Sequence, residues 1–216
     1  MPLREPSQLD EAEREHLFDL AQAAASSPRR PARKKVLQLR PSIRRILDGM
    51  TGVPAYVRDA HLNILDANVL CRSLYGDTLA PESLPLNLAR FVFIDQQSKE
   101  LFIEWETIAD DVAGILRAEA GRTPEDRNLS DLIGELATRS DPFRKRWARH
   151  NVRLHRTALK KLRNPLVGEI ELTGDALELT GDGLTLITYT APKGSEAQQQ
   201  LDLLLSWLTS DRVEKQ

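Results

Sequence analysis

The spacing of apolar residues changes twice along this chain, and that change restricts the fold more than any other feature. Two short runs, Pro54–Arg58 and Leu62–Leu65, read as strands joined by Asp59-Ala60-His61. A helical period then takes over. The apolar segment 87–94 reads as a helix, and Leu101, Trp105, Ile108, Val112 and Ile115 predict one long helix over 97–120, stopped by Gly121. Leu129, Leu132, Ile133 and Leu136 predict another helix, and Pro142 to His150 a third with Asp141 as its cap. After Asn151 the period returns to two. Val152 and Leu154 open an extended segment, and Val167–Leu172, Leu177–Leu179 and Leu184–Tyr189 read as strands. Gly174-Asp175 and Gly181-Asp182-Gly183, both turn chemistry, separate them. Strands at both ends with helices between predict an α+β domain with one antiparallel sheet and helices packed on one side.

That ground plan is PAS-like. Its main domain is expected over residues 40–210. Pro41, Ile43, Ile46, Leu47 and Met50 predict an opening helix closed by Thr51-Gly52, and Asp66–Leu74 a short helix with Asp66 as a possible cap. The last element, Glu196 to Leu208, reads as an amphipathic helix with Leu201, Leu204, Leu205, Trp207 and Leu208. Residues 1–25 predict a lone helix with an apolar stripe of Leu17, Leu20, Ala21 and Ala24. Residues 26–39 read as an extended linker, because Pro28 and Pro31 break helix pairing and the basic residues repel one another.

Composition limits the function classes. The 216 residues fit one large domain with appendages, and 41% hydrophobic with 29% charged residues is an ordinary globular balance. No run approaches the ~20 apolar residues of a membrane span, the N-terminus has no apolar leader core, and the single Cys71 cannot form an internal disulfide. A cytoplasmic protein with no membrane partner is expected. The net charge of −2 conceals two basic segments: eight Lys or Arg and no acid over 28–45, and nine and no acid over 143–168. Such segments suit a polyanion or an acidic partner surface, or simply form solvated faces. The chain has no GxSxG, HExxH, phosphate loop or GxGxxG, so no catalytic residue is assigned and no enzyme activity is expected. His150 and His155 lack neighbouring acids or cysteines in sequence, so neither a metal site nor any other cofactor is assigned.

Trp147 and His150, at i and i+3, share a helix face and offer an apolar wall with a polar handle. The alternative is a core tryptophan beside a histidine bonded to a carbonyl. Asn68 can hold a ligand head group or brace the backbone. Phe91, Phe93, Trp105 and Tyr189 line the same cavity, or are ordinary core. In the linker, Arg29, Arg30, Arg33, Lys34 and Lys35 either neutralise DNA phosphates or keep the segment extended.

The run RPSIRRILDGMTGVPAYVRDAHLNILDANVLCRSLYGD resembles the opening of the ligand-binding domain of MmyB-like regulators. NLARFVFID, DDVAGILRAEAGR, FRKRWARHNVR, NPLVGEIEL and LITYTAPKGS follow in the family's order, and the likeness spans about residues 40–195. Ala67 stands where the family often carries an aromatic, and Asn164 where a His commonly precedes Pro. The LDEAEREHLFDLA segment resembles the helix that follows the DNA-reading part. The resemblance implies an effector-sensing domain joined to a xenobiotic-response-type helix-turn-helix. It also implies a small apolar ligand, with a fatty acid among the plausible effectors, and DNA binding by the full regulator. The helices that would read the major groove have no counterpart in residues 1–25, so DNA binding by this chain alone is expected to be weak or non-specific. A homodimer is expected, since operator symmetry mirrors two-fold protein symmetry. The other reading is a ligand-free dimerisation or interaction module, presenting Leu204, Leu205, Trp207 and Leu208 of the last helix and the stripe over 97–120.

Overall fold

A computed structural model describes residues 39–149 and 157–214. The expected helix of residues 1–25, the linker as far as residue 38, His150 and the extended run of Val152 and Leu154 lie outside the described residues.

Helix α1 (Pro41–Gly49) has Pro at its first turn, and it buries Ile43 and Leu47, one turn apart. Strands β1 (Ala55–Asp59) and β2 (Asn63–Ala67) form the expected hairpin. Its turn lacks Asn-Gly because a side chain does the holding: the Asp59 carboxylate accepts from Asn63 N–H at 2.8 Å and Asn63 Nδ2 at 2.9 Å. Leu62 takes φ 65° there and is wholly buried. Helix α2 (Val69–Tyr75) follows, then β3 (Leu86–Asn87), α3 (Leu88–Ile94), α4 (Gln97–Leu101), α5 (Trp105–Arg122), α6 (Arg127–Arg139) and α7 (Asp141–Ala148). Strands β4 (Thr157–Asn164), β5 (Gly168–Leu179) and β6 (Leu184–Thr190) precede the last helix, α8 (Glu196–Glu214).

All six strands join one antiparallel sheet in the order β3-β2-β1-β6-β5-β4. The α+β, PAS-like plan is therefore the observed one. The main core lies between the inner sheet face and the layer α2 to α8, through residues such as Tyr56, Leu74, Phe91, Leu116, Phe143, Ile170 and Leu204. The outer face is covered in part by α1, whose Ile43 and Leu47 pack on Ala55, Val57 and Leu184. Strand β1 is thus buried on both sides, with Tyr56 inward and its two neighbours outward.

Several local expectations are corrected. The helix expected over 97–120 is two helices. Phe102 turns extended and bridges to Leu162, while Ile103 N–H donates to the Lys161 carbonyl at 3.1 Å. This pairing covers the exposed edge of β4 and displaces the helical option. Helix α5 runs through Gly121 and ends at Arg122. Gly174-Asp175 is no turn: β5 passes straight through it. A Cβ on Gly174 would sit 3.1 Å from Tyr189 Cε1, so the glycine is needed for a close approach. The cap of α2 is Asn68, with Asp66 instead paired to Arg44 (2.9 Å) and Arg72 (2.6 Å). Ser140 caps α7, its hydroxyl accepting from Phe143 N–H, and Asp141 lies inside the helix.

Candidate functional site

The inner sheet face carries an unusual density of hydroxyls for a core. Tyr56 stands on β1, Tyr189 on β6 and Tyr75 at the end of α2, each at most 4% exposed. The Tyr75 and Tyr189 oxygens are 2.6 Å apart, and all three ring centroids lie 6.2–6.3 Å from one another. Burial raises all three pKa values, to about 12 for Tyr56, so the cluster stays neutral. Phe102 meets Tyr75 edge-on at 6.2 Å and Phe91 at 6.1 Å, extending the aromatic wall into the helical layer. Buried Cys71 lies in the same core, and burial pushes its thiol up, which removes it as a nucleophile. Arg58 follows two residues after Tyr56 and so shares its face. It is 9% exposed.

A second aromatic group sits among the helices. Phe93 meets Phe143 at 5.0 Å and Trp105 at 6.2 Å, and Phe143 stacks on Trp147 at 5.4 Å. Trp105 Nε1 donates to the Val92 carbonyl (3.0 Å) and Ser98 Oγ (3.2 Å). Arg117 lies 4.8 Å over the Trp147 ring and donates to the Trp147 carbonyl at 2.5 Å. Phe93 and Trp105 border an open depression of about 250 Å³ with Val92, Ile94, Lys99, Arg139 and Pro142 around it. A neighbouring depression of about 260 Å³ is lined by Glu106, Pro142, Lys145, Arg146 and Arg149. Arg146 is held there by Glu106 and Asp110.

The sequence-derived residues therefore do not form one site. Phe91 and Tyr189 belong to the tyrosine wall, whereas Phe93, Trp105 and Trp147 belong to the helical group. Asn68 stands apart and spends its whole amide on backbone: Oδ1 accepts from Cys71 N–H (2.9 Å) and Ala55 N–H (3.1 Å), and Nδ2 donates to Met50 O (2.8 Å) and Val53 O (2.7 Å). His150 and the basic residues Arg29, Arg30, Arg33, Lys34 and Lys35 lie outside the described residues. Asn164 is a second backbone staple. Its Nδ2 donates to the Ser73 and Leu74 carbonyls at the end of α2, and its Oδ1 accepts from Leu166 and Val167 N–H. Tyr56, Tyr75 and Arg58 went unassigned in the sequence. The alternation in β1 was the available signal, since it puts Tyr56 and Arg58 on one face.

At the hairpin end of the sheet, His61 Nε2 meets Asp126 Oδ2 at 2.8 Å. Burial of Asp126 opposes its ionisation, but hydrogen bonds from His61 and the Leu129 and Asn128 N–H groups outweigh that and lower its pKa. Glu119 nearby is shifted the other way, raised by burial. Among the described residues, no group of three or more His, Cys, Asp or Glu side chains could hold a metal ion, and no helix is long and apolar enough to cross a membrane.

Comparison with curated proteins returned no match. Residues 39–204 match the family model described as the MmyB-like transcription regulator ligand binding domain.

Proposed function

Because the chain belongs to the MmyB-like transcription regulator ligand-binding domain family, we propose that it holds a small, largely apolar molecule against the inner sheet face and transmits occupancy to DNA binding. The observation that carries this reading is the tyrosine cluster. Phenylalanine at these positions would fill the core without polar groups to satisfy; the tyrosines instead place hydroxyls that bond one another, Tyr75 to Tyr189 at 2.6 Å, and that can exchange those bonds for a polar group of a ligand. Phe91, Phe102 and Tyr189 supply the apolar wall. Room for the ligand requires rotation of the rings and withdrawal of Phe102, which sits on the non-helical link between α4 and α5. Phe93, Trp105 and Trp147 back this wall from the helical side. A fatty acid fits the chemistry, the cell compartment is the cytoplasm, and the role is binding rather than catalysis. In the intact regulator Arg29, Arg30, Arg33, Lys34 and Lys35 contact phosphates beside the DNA-reading helices.

A ligand switches the regulator only if it binds two arrangements with different affinity. At 100 times its Kd it also stabilises the domain by about 2.7 kcal/mol, a Tm rise of several degrees. The test is native mass spectrometry and solvent extraction of the purified protein, with thermal shift across a fatty-acid panel. An extracted amphiphile or a saturable shift is expected; no mass and no shift across the panel would reject the reading.

A second reading has its own support. Leu203 and Trp207, one turn apart on α8, are 42% and 39% exposed. This apolar pair fits the two-fold contact of a homodimer, whether or not ligand is bound.

A further inference from the structure

The outer sheet face is covered on one side only. Strand alternation puts Leu177 and Leu179 of β5 and Leu184 and Leu186 of β6 on that face, and Leu177 pairs with Leu186, which pairs with Val57. Helix α1 lies over the Val57 side, where its Ile43 and Leu47 are buried. Its two flanks differ. Arg44 reaches Asp66 on β2, so that flank faces β2. Ile46 follows two residues on, which at about 100° per residue sets it on the opposite flank, toward β6 and β5. Ile46 is 56% and Leu177 48% exposed, with Leu179 and Leu186 half-buried alongside. These four residues line an apolar trough beside α1. Leu177 lies two strands from Val57, about 10 Å, which is the spacing of a second helix packed against the first.

The chain itself enters at this trough. Leu39 packs on the outer cluster, and Arg40 pairs with Asp182 in the β5–β6 turn. Residues 1–38 therefore join the domain at the end of the trough marked by Leu179 and Leu184. Among them, Leu17, Leu20, Ala21 and Ala24 form the apolar stripe of the helix read over residues 1–25. A short lone helix is marginal in water without a face to bury. Residues 26–39 reach at most roughly 45–50 Å when extended, about twice the ~22 Å length of a helix over 10–24. The tether also raises the local concentration of that helix at the trough, whereas a second copy must meet the same patch from dilute solution.

We propose that the outer-face trough is the docking site of the N-terminal helix of this same chain, with Leu17 and Leu20 set against Ile46 and Leu177. Docking closes residues 26–39 into a loop, so that Arg29, Arg30, Arg33, Lys34 and Lys35 are displayed beside the β5–β6 turn rather than on an arm held at one end. The contact needs nothing of the inner face, so it stands or falls apart from the ligand reading.

In the test, Leu20→Cys is combined in the full chain with Leu177→Cys, and in a control with Leu166→Cys, which is 58% exposed at the opposite end of β5. Cys71 is buried and does not compete. Limited trypsin treatment then cuts the basic linker, and the N-terminal peptide stays with the body only where a disulfide holds it. The Leu177→Cys pair is expected to close within one chain at least about tenfold faster than the control. Hydrogen exchange is expected to show residues 10–24 protected in wild type, and to lose at least about tenfold of that protection in Leu177→Glu, a change at an exposed position that leaves the domain folded. Equal closure rates in the two pairs, or exchange of residues 10–24 that Leu177→Glu does not alter, overturns the proposal. A disulfide formed between chains, seen as a dimer on a non-reducing gel, also overturns it and assigns the trough to the helix of a second copy.

Discussion

Asn68, like Asn164, spends one side-chain amide on four backbone groups. Its amide closes four backbone groups that arrive from the end of α1, from β1 and from α2. Asn68→Ala leaves buried backbone groups without partners, each worth about 1–3 kcal/mol, so a loss of at least about 2 kcal/mol is expected in urea unfolding. Asn68→Asp keeps the acceptor but turns a carboxylate oxygen toward two carbonyls, and it is expected to destabilise as well. The sequence offered both a head-group role and a brace for this residue. The choice needed the positions of Met50 and Val53, which no local pattern supplies. The acids near the hairpin make a pH prediction. The Asp126 pKa is lower folded than unfolded, so its stabilising contribution is present above the unfolded value near 3.9 and is lost as pH falls through the folded value. Glu119 has the opposite sign, with a raised folded pKa that penalises its ionised form at neutral pH. Thermal melts across pH 3–7 (~pH 3 to ~pH 7 spanning the ordinary carboxylate range) are expected to show acid destabilisation that Asp126→Asn reduces, and Glu119→Gln is expected to raise Tm at neutral pH.

At the level of elements, periodicity found the β1–β2 hairpin, β6 and most of the helices, but it left β3 and β4 unmarked, split β5 into two runs, and failed where a tertiary contact overruled it. The 4-and-3 spacing of Leu101, Trp105 and Ile108 continues across the break at 102–104, so nothing local announces it. The cause lies about sixty residues on, in the bare edge of β4, which Phe102 and Ile103 cover. Gly174 misled for a related reason. A glycine in a turn and a glycine under a ring look alike in sequence, and the Tyr189 ring is what distinguishes them. Gly174→Ala is accordingly expected to cost about 1–3 kcal/mol, the usual range for overpacking, and Tyr189→Leu in the same chain should recover part of it in a double-mutant cycle. Helix α1 buries little beyond Ile43 and Leu47. Its amides are expected to exchange with solvent faster than those of β1 and β6, as read by hydrogen exchange.

For the molecule as a whole, the strand–helix–strand order pointed to one antiparallel sheet, because connections as short as those of β1–β2 and β5–β6 join only antiparallel neighbours. The site was less legible. Aromatic residues were identifiable as a class, yet their partition into an inner wall and a helical group depends on which side each element presents. Tyr56 and Arg58 were passed over because a five-residue strand buried on both faces loses the in-out contrast that marks a lining residue. The exposed α8 pair makes a prediction at this scale: Leu203→Glu with Trp207→Glu should shift light-scattering mass to the monomer while the far-UV spectrum is kept. An unchanged mass would place any self-association elsewhere.

That two-sided strand has a mechanical consequence. β1 is a party wall one residue thick. Ala55 and Val57 support α1, the first described helix after the N-terminal segment, while Tyr56 and Arg58 face the opposite room. Arg44 of α1 also reaches across to Asp66 on β2. A guest that pushes on one side of such a partition is felt directly by the furniture on the other, through a single layer of backbone.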